Sequence, residues 1–454
     1  MSRLVSAEPN AKAHLAALSR IGYDFNSAVS DILDNSITAN AKNIEIEFYL
    51  ENDHAIFFIA DDGDGMTESD LITNMSIGCK DPYEDRTKGD LGRFGAGLKT
   101  ASFSQARITS VITKTENSSC AGAVWDKSII EEHGWKLKIL DLVEITKILP
   151  RGYDHLKTGT IVRWDVIDII KDLLHSPEMQ LQIDKLCADL QSHVALYFHR
   201  FLSEAPTVNI SINKRTVSAI DPFMININGS EELPSASLRG GKAGKDKIII
   251  QPYRLPFFTS MSQSEIDKYG GEASIRQNQG LYIYREKRLI IAGQWMGLQR
   301  YSNLSGLTRI MVDIPSSLDN EWTTDVKKSS LQIPPKIRDR IQRLISKPVQ
   351  ASKGAYTHRG KQEIANQFWL VNHDERNNLL TYEIDPENPN LRSMIDRLSA
   401  ADKIQFAKYL TSLAAAIPLN HIYGSMGKSS KSIVQANITD DTKVKELIAR
   451  FNDE

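Results

Sequence analysis

Cysteine is scarce. Cys79, Cys120 and Cys187 are the only three in 454 residues and lie far apart. They form neither a disulfide framework nor a metal-ligand spacing, and a reducing cytoplasm is the compartment that fits them. Long apolar runs are missing too. Nothing reaches the roughly 18 residues of a membrane-spanning helix, and Met1 to Asn10 lacks the apolar stretch of a secretion signal. No membrane partner is expected. An excess of one charge is also absent: 55 Lys and Arg stand against 57 Asp and Glu, a formal net charge of -2. That excludes a global field drawing the chain to nucleic acid or lipid, but leaves local basic patches open.

What is present is ordinary for a soluble globular chain, with 41% hydrophobic and 25% charged residues. The length exceeds one hydrophobic core, so about two or three domains are expected. Residues 11–21 and 26–38 read as helices; in the second, Ala28, Val29, Ile32, Leu33 and Ile37 share one face. Ile44, Ile46 and Phe48 alternate with charge, and residues 55–60 form a short apolar run suited to a buried strand. Residues 61–97 are rich in Gly, Asp and Lys and too irregular for one element, which suits an active-site lid. A helix is expected from Gly97, then strands at 106–113 and 160–165 and a helix over 183–201. A hairpin turning near Asn213–Lys214 opens a second region, with a basic loop at 237–247 and strands at 248–251, 280–284, 288–292 and 309–314. A helix over 336–345, a linker over 347–360, a strand at 379–384 and helices at 391–399 and 403–416 complete the chain.

Four short patterns carry chemistry. Asp31 and Asn35 are four apart and share a helix face. A carboxylate beside an amide oxygen suits Mg²⁺, and the carboxylate can take a proton from an attacking water; alone, the pair is an ordinary solvated face. Asp61, Gly63, Gly65 and Met66 follow a buried strand. A carboxylate there can accept from an adenine amino group while glycines let the backbone approach, although Asp-Gly turns are common. Gly92, Gly95 and Gly97, with Leu98 and Lys99, open a helix. Bare N–H groups and the helix dipole make an anion site there, and a first-turn lysine makes sense if it meets a phosphate. A dinucleotide is disfavoured, because a close preceding strand and a ribose-binding acid are missing. Gly159-Thr160 enters an apolar strand, and the Thr160 hydroxyl is placed to support Asp61.

The joint order of these patterns resembles the GHKL ATPase superfamily, which includes gyrase B subunits, MutL, the ninety-kilodalton heat-shock chaperones and MORC proteins. MORC-type ATPases are the nearest likeness, through DILDNSITANA at 31–41, MSIGCKD at 75–81, GRFGAGLKTASF at 92–103 and QGLYIYREKRLIIAGQW at 279–295. The last resembles a strand pair of the transducer domain that follows the ATP domain in that group. The resemblance implies an α+β fold: a Bergerat ATP-binding α/β sandwich over 1–204, a transducer-like α+β domain over 205–346 and a small, mostly helical C-terminal region over 347–454. It implies ATP and Mg²⁺ as cofactors. Asn35 is then the metal ligand and Asp61 the adenine acceptor, with Gly63, Gly65 and Met66 in its pocket. Gly92, Gly95, Gly97, Leu98 and Lys99 form the phosphate loop, and Thr160 the last motif. Asp31 falls where the family usually has a glutamate that activates water, so hydrolysis is expected to be slow. Asp34 recurs in MORC-type sequences without a clear role. Lys327 or Lys328 would reach the γ-phosphate from the transducer.

The implied function is an ATP-gated clamp that forms a homodimer on ATP and acts on DNA, in genome maintenance or antiviral defence. The alternative is a chaperone-like or signalling ATPase acting on a partner protein. None of the ten histidines has the setting of a sensor-kinase phosphoacceptor.

Overall fold

The structure, a computed structural model, describes residues 10–51, 54–77, 91, 97–150, 152–153, 157–173, 176, 178–240, 246–319, 322–324, 331–357, 368–374, 379–418 and 422. The chain divides into two compact units. One runs to Tyr301 and resumes from Leu307 to Val349; the other takes Ser302–Gly306 and the residues after Val349.

The first unit begins with α1 (Ala11–Ser19) and α2 (Phe25–Thr38), then strands β1 (Asn43–Glu51) and β2 (His54–Asp61). They are followed by α3 (Glu68–Met75), α4 (Gly97–Gln105), β3 (Ala106–Lys114), β4 (Ala121–Asp126), α5 (Lys127–His133), β5 (Lys138–Leu140), α6 (Leu142–Ile148) and β6 (Gly159–Ile167). Helices α7 (Glu178–Tyr197) and α8 (His199–Ser203) and strands β7 (Asn209–Ile212) and β8 (Arg215–Thr216) close this half. The eight strands form one sheet in the order β5-β4-β3-β6-β2-β1-β7-β8. All neighbours run antiparallel except β1 and β7.

The apolar run of β2 follows from its central place. Ala55, Phe57 and Ile59 face the main core with α2, while Ile56, Phe58 and Ala60 face a second cluster with Ile145 of α6. A strand buried on both faces has no polar alternation to show. The hairpin between β7 and β8 turns at Asn213 and Lys214, both at positive φ, as a tight hairpin requires.

The same unit holds a second sheet. Its strands are β9 (Glu231–Glu232), β10 (Ala236–Gly240), β11 (Asp246–Arg254), β12 (Gly280–Arg285), β13 (Arg288–Gln294) and β14 (Thr308–Ile314). Their order is β10-β11-β14-β12-β13, with β9 on β11. The expected basic loop at 237–247 is largely strand: Ala236 to Gly240 pairs with Ile250 to Asp246, and residues 241–245 lie outside the described residues.

Between α8 and β12 lie α9 (Gln263–Lys268) and α10 (Gly271–Gln277), and beyond β14 the short pair β15 (Thr323–Thr324) and β16 (Leu331–Gln332). Helix α11 (Pro335–Thr357) runs through much of the expected linker, with Pro348 inside it. Ile337, Ile341, Ile345 and Val349 recur every four residues and are buried in one cluster. That stripe carries the helix past a proline whose missing N–H would otherwise end it. The second unit carries a hairpin of β17 (Trp369–Asp374) and β18 (Leu379–Ile384) and helices α12 (Pro389–Ile395) and α13 (Ala400–Ala415). No described helix is long and apolar enough to cross a membrane.

Candidate functional site

Helix α2 is capped by Asp24, whose carboxylate accepts from Ser27 N at 2.9 Å. Phe25, Val29, Ile32 and Leu33 are fully buried in the main core, each contributing about 1.5–3 kcal/mol. That packing fixes the rotation of the helix and so the place of its polar residues. Asp31, Asp34 and Ser36 are buried, while Asn35 between them is exposed.

Asp31 Oδ2 accepts from the Tyr23 hydroxyl at 2.8 Å. A Cβ built on Gly97, the first residue of α4, would lie 3.2 Å from the same oxygen. The carboxylate therefore stands against the helix start at the end of the glycine loop. On another side it lines a cleft of about 250 Å³, with Ser30, His193, Tyr197 and Arg288 also in the wall. His193 stacks on Tyr197 at 4.2 Å and shares a 2.9 Å hydrogen bond with the Ser30 hydroxyl. Burial, then the nearby Arg288 cation, holds His193 down at about 4.

Asp61 ends β2 and is 8% exposed. Its Oδ2 accepts from the Ser36 hydroxyl at 2.7 Å; its Oδ1 accepts from Gly63 N at 3.0 Å and Thr160 N at 3.1 Å. Burial pushes its carboxyl above the usual aspartate range, against the pull of those hydrogen bonds. Thr160 reaches Asp61 through its main-chain N–H, not through its hydroxyl as the sequence suggested. The Thr160 hydroxyl is 3.0 Å from Thr113 Oγ1, which donates to Gly159 O at 3.0 Å and accepts from Met66 N at 2.9 Å. Gly65 has φ +68, and a Cβ there would fall 2.0 Å from the Lys114 carbonyl oxygen. The chain can pass so close to β3 only as glycine.

Lys99, expected at a phosphate, contacts main-chain carbonyls of a neighbouring element. It is 4% exposed, and its Nζ donates to Asn74 O at 2.9 Å and Ser76 O at 2.7 Å, at the C-terminal end of α3. A cation at those carbonyls complements the helix dipole, so Lys99 clasps α4 to α3. Leu98 packs partly buried against the main core, and Met66 does the same. Gly92, Gly95, Lys327 and Lys328 lie outside the described residues, as does much of the expected lid.

Asp34 is 1% exposed and pairs through Oδ1 with Arg288 Nε at 3.0 Å. Arg288, the first residue of β13, also donates to Tyr197 O at 3.3 Å and Leu289 O at 2.8 Å, and lies 3.9 Å over the Phe198 ring. Sequence reasoning missed Tyr23, Ser36, Thr113 and Arg288. Ser36 had a signal, its place one residue after Asn35; Arg288 is 254 positions from its partner and had none.

Asp61 is thus buried at a strand end and Asp31 is buried against the start of α4, while Asn35 on the helix of Asp31 is exposed. Residues 23–158 match the family described as histidine kinase-, DNA gyrase B- and HSP90-like ATPase. Over those residues the chain is similar to GHKL-type ATPases. It is 27% identical over 169 residues to a DNA mismatch repair protein MutL from Dictyoglomus turgidum, covering 35% of this chain and 28% of that protein. It is 28% identical over 90 residues to the ATPase morc-1 of Caenorhabditis elegans, covering 20% and 10%. It is also 31% identical over 98 residues to MORC family CW-type zinc finger protein 3 of Mus musculus, covering 21% and 10%. The matches span between a tenth and about a quarter of these relatives.

Proposed function

We propose that the protein binds Mg²⁺·ATP in this pocket, hydrolyses it slowly, and uses the cycle to drive a dimerising clamp on DNA. The observation that supports this most is the Ser36–Asp61 hydrogen bond. It ties the adenine acceptor to α2, where Asp31 lies five residues back, about 7.5 Å along the axis. The two carboxylates thus serve different parts of one ligand: Asp61 the base, Asp31 the water at the far phosphate. Among the described residues no three His, Cys, Asp or Glu cluster as a metal site. Mg²⁺ in this pocket would be held by the exposed Asn35 amide together with phosphate oxygens, since such a cation commonly uses only one or two protein ligands. Bound there, it would neutralise charge on the phosphates.

DNA as client rests on the likeness to a mismatch repair protein. A partner protein is the second reading, and the net charge of -2 favours it. Steady-state phosphate release and DNA retention across a salt series separate the two. Phosphate contacts give affinity that falls steeply with salt, so retention with a flat salt response, and turnover indifferent to DNA, would remove DNA as the client.

A further inference from the structure

Asp34 has no task in the reading above, yet it is the most deeply buried carboxylate of α2. Its partner Arg288 opens β13 just after the turn of the β12–β13 hairpin, and Arg285 ends β12 just before it. Arg285 grips Asp319 with two 2.7 Å bonds, Nε to Oδ1 and Nη2 to Oδ2, and donates to the Leu91 carbonyl at 3.3 Å. Leu91 immediately precedes Gly92. Two arginines flanking one turn therefore hold the helix of Asp31 and Asn35 and the approach to the glycine loop.

A buried ion pair is a poor device for stability alone. An apolar pair of the same volume often does as well, because desolvation offsets the attraction. What the pair adds is one allowed register. The Arg288 guanidinium is fixed by the Tyr197 and Leu289 carbonyls and the Phe198 ring, leaving Nε for Asp34. Asp34 adjoins Asn35 and follows Asp31 by three residues, so any shift of Asp34 along the helix shifts both.

We propose that Arg288 is a positioning residue for ATP hydrolysis: through Asp34 it sets the height and rotation of α2, making turnover depend on the seating of the β12–β13 hairpin. This rests on the ATPase reading above. Displacing a catalytic group by about 1 Å can cost on the order of 10²-fold in rate, without touching the groups that bind adenine.

The test uses Asp34→Asn, Arg288→Lys, Arg288→Gln and the Asp34→Asn/Arg288→Gln double variant of the full chain. Asp34→Asn keeps shape and a carbonyl acceptor, so it reports even where Arg288→Gln folds poorly. Expected are ATP affinity by calorimetry close to wild type and kcat at saturating ATP lower by on the order of 10²-fold in Asp34→Asn and Arg288→Gln. Arg288→Lys should recover part of that rate. The double variant should be no slower than the worse single, since both act through one contact. Wild-type kcat in Asp34→Asn and Arg288→Lys overturns the proposal, as does a lowered melting temperature with kcat unchanged. If the wild type does not hydrolyse ATP at all, the ATPase reading falls and this inference with it. If it does, and Asp31→Ala is inactive while Asp34→Asn is fully active, only this inference falls.

Discussion

Asp61 already holds three donors, from α2, from the turn after β2 and from β6. On the proposed reading an adenine amino group would add a fourth to a carboxylate that burial has made costly to ionise. Asp61→Asn should lower ATP affinity about 10- to 100-fold, since a hydrogen bond to a charged group is worth about 1.5–3 kcal/mol. Calorimetric titration decides; unchanged affinity moves the adenine pocket elsewhere. The sign of the pH effect follows. The carboxyl of Asp61 sits above the usual aspartate range, and only the ionised form is a pure acceptor. Affinity should therefore fall on acidification at a higher pH than an ordinary aspartate allows, and this component should vanish in Asp61→Asn. Asp31, beside Gly97 and Tyr23, carries the next prediction: Asp31→Ala should keep ATP but lose about 10²- to 10⁴-fold in turnover. Phosphate-release kinetics check it, and normal turnover removes Asp31 as the base. Both aspartates were legible in the sequence because each is marked by neighbours within five residues. The longer-range contacts around them were not. Tyr23 is eight positions from Asp31, Thr113 is 47 from Met66, and Arg288 is 254 from Asp34. The contact of Lys99 with α3 was hidden for the same reason: only the fold brings the end of α3 against it.

Elements were legible where an alternation, a helical period or a continuous apolar run marked them, as the apolar run of β2 did, and elements without such a mark were not. Helix α2 shows its period through an apolar face set among polar residues, and strand β1 through buried Ile44, Ile46 and Phe48 alternating with charge. Strand β4 is six residues, buried at all but the last, and built on Ala and Gly, so it has no period to read. Helix α11 outran its expected end because a four-residue stripe of Ile and Val outweighed Pro348. Helices α7 and α8 carry a consequence that no pattern announced. His193 and His199 are both held at about 4, by burial first and then by Arg288 and Arg200. An ordinary histidine titrates near 6.5, so between those pH values the unfolded chain binds protons the folded one refuses. Their contribution is complete above about 6.5 and is lost as pH falls towards 4, at most about 3 kcal/mol each. Urea midpoints at pH 7.5, 6 and 5 should fall in that order; a flat series would show that these rings are not buried neutral. His193→Gln should flatten it in part.

At the scale of the molecule the question is how a nucleotide in one half could move the other. The expected lid over 61–97 is held at described points. Met66 is fixed by Thr113, the end of α3 by Lys99, and Leu91 by two contacts: its N–H donates to Thr38 Oγ1 at 3.3 Å and its carbonyl accepts from Arg285. Thr38 ends the helix of Asp31, and Arg285 begins the turn before β13. Gly92, where the expected phosphate loop begins, is thus one residue from a contact with the second sheet. Arg285 in turn holds Asp319, eight positions before Lys327. Ligand binding can shift a conformational equilibrium only by its differential affinity for the two states, so the switch must read the γ-phosphate itself. On this argument a non-hydrolysable ATP analogue should move the protein from monomer to dimer in light scattering, and ADP should not. The Lys327→Ala/Lys328→Ala variant should stay monomeric with the analogue while still binding it. Equal dimer content with ADP and analogue rejects the switch and leaves a plain nucleotide-binding module. A switch that survives in the lysine variant rejects only the lysines, and leaves the path from Leu91 through Arg285 as the route by which the phosphate is felt.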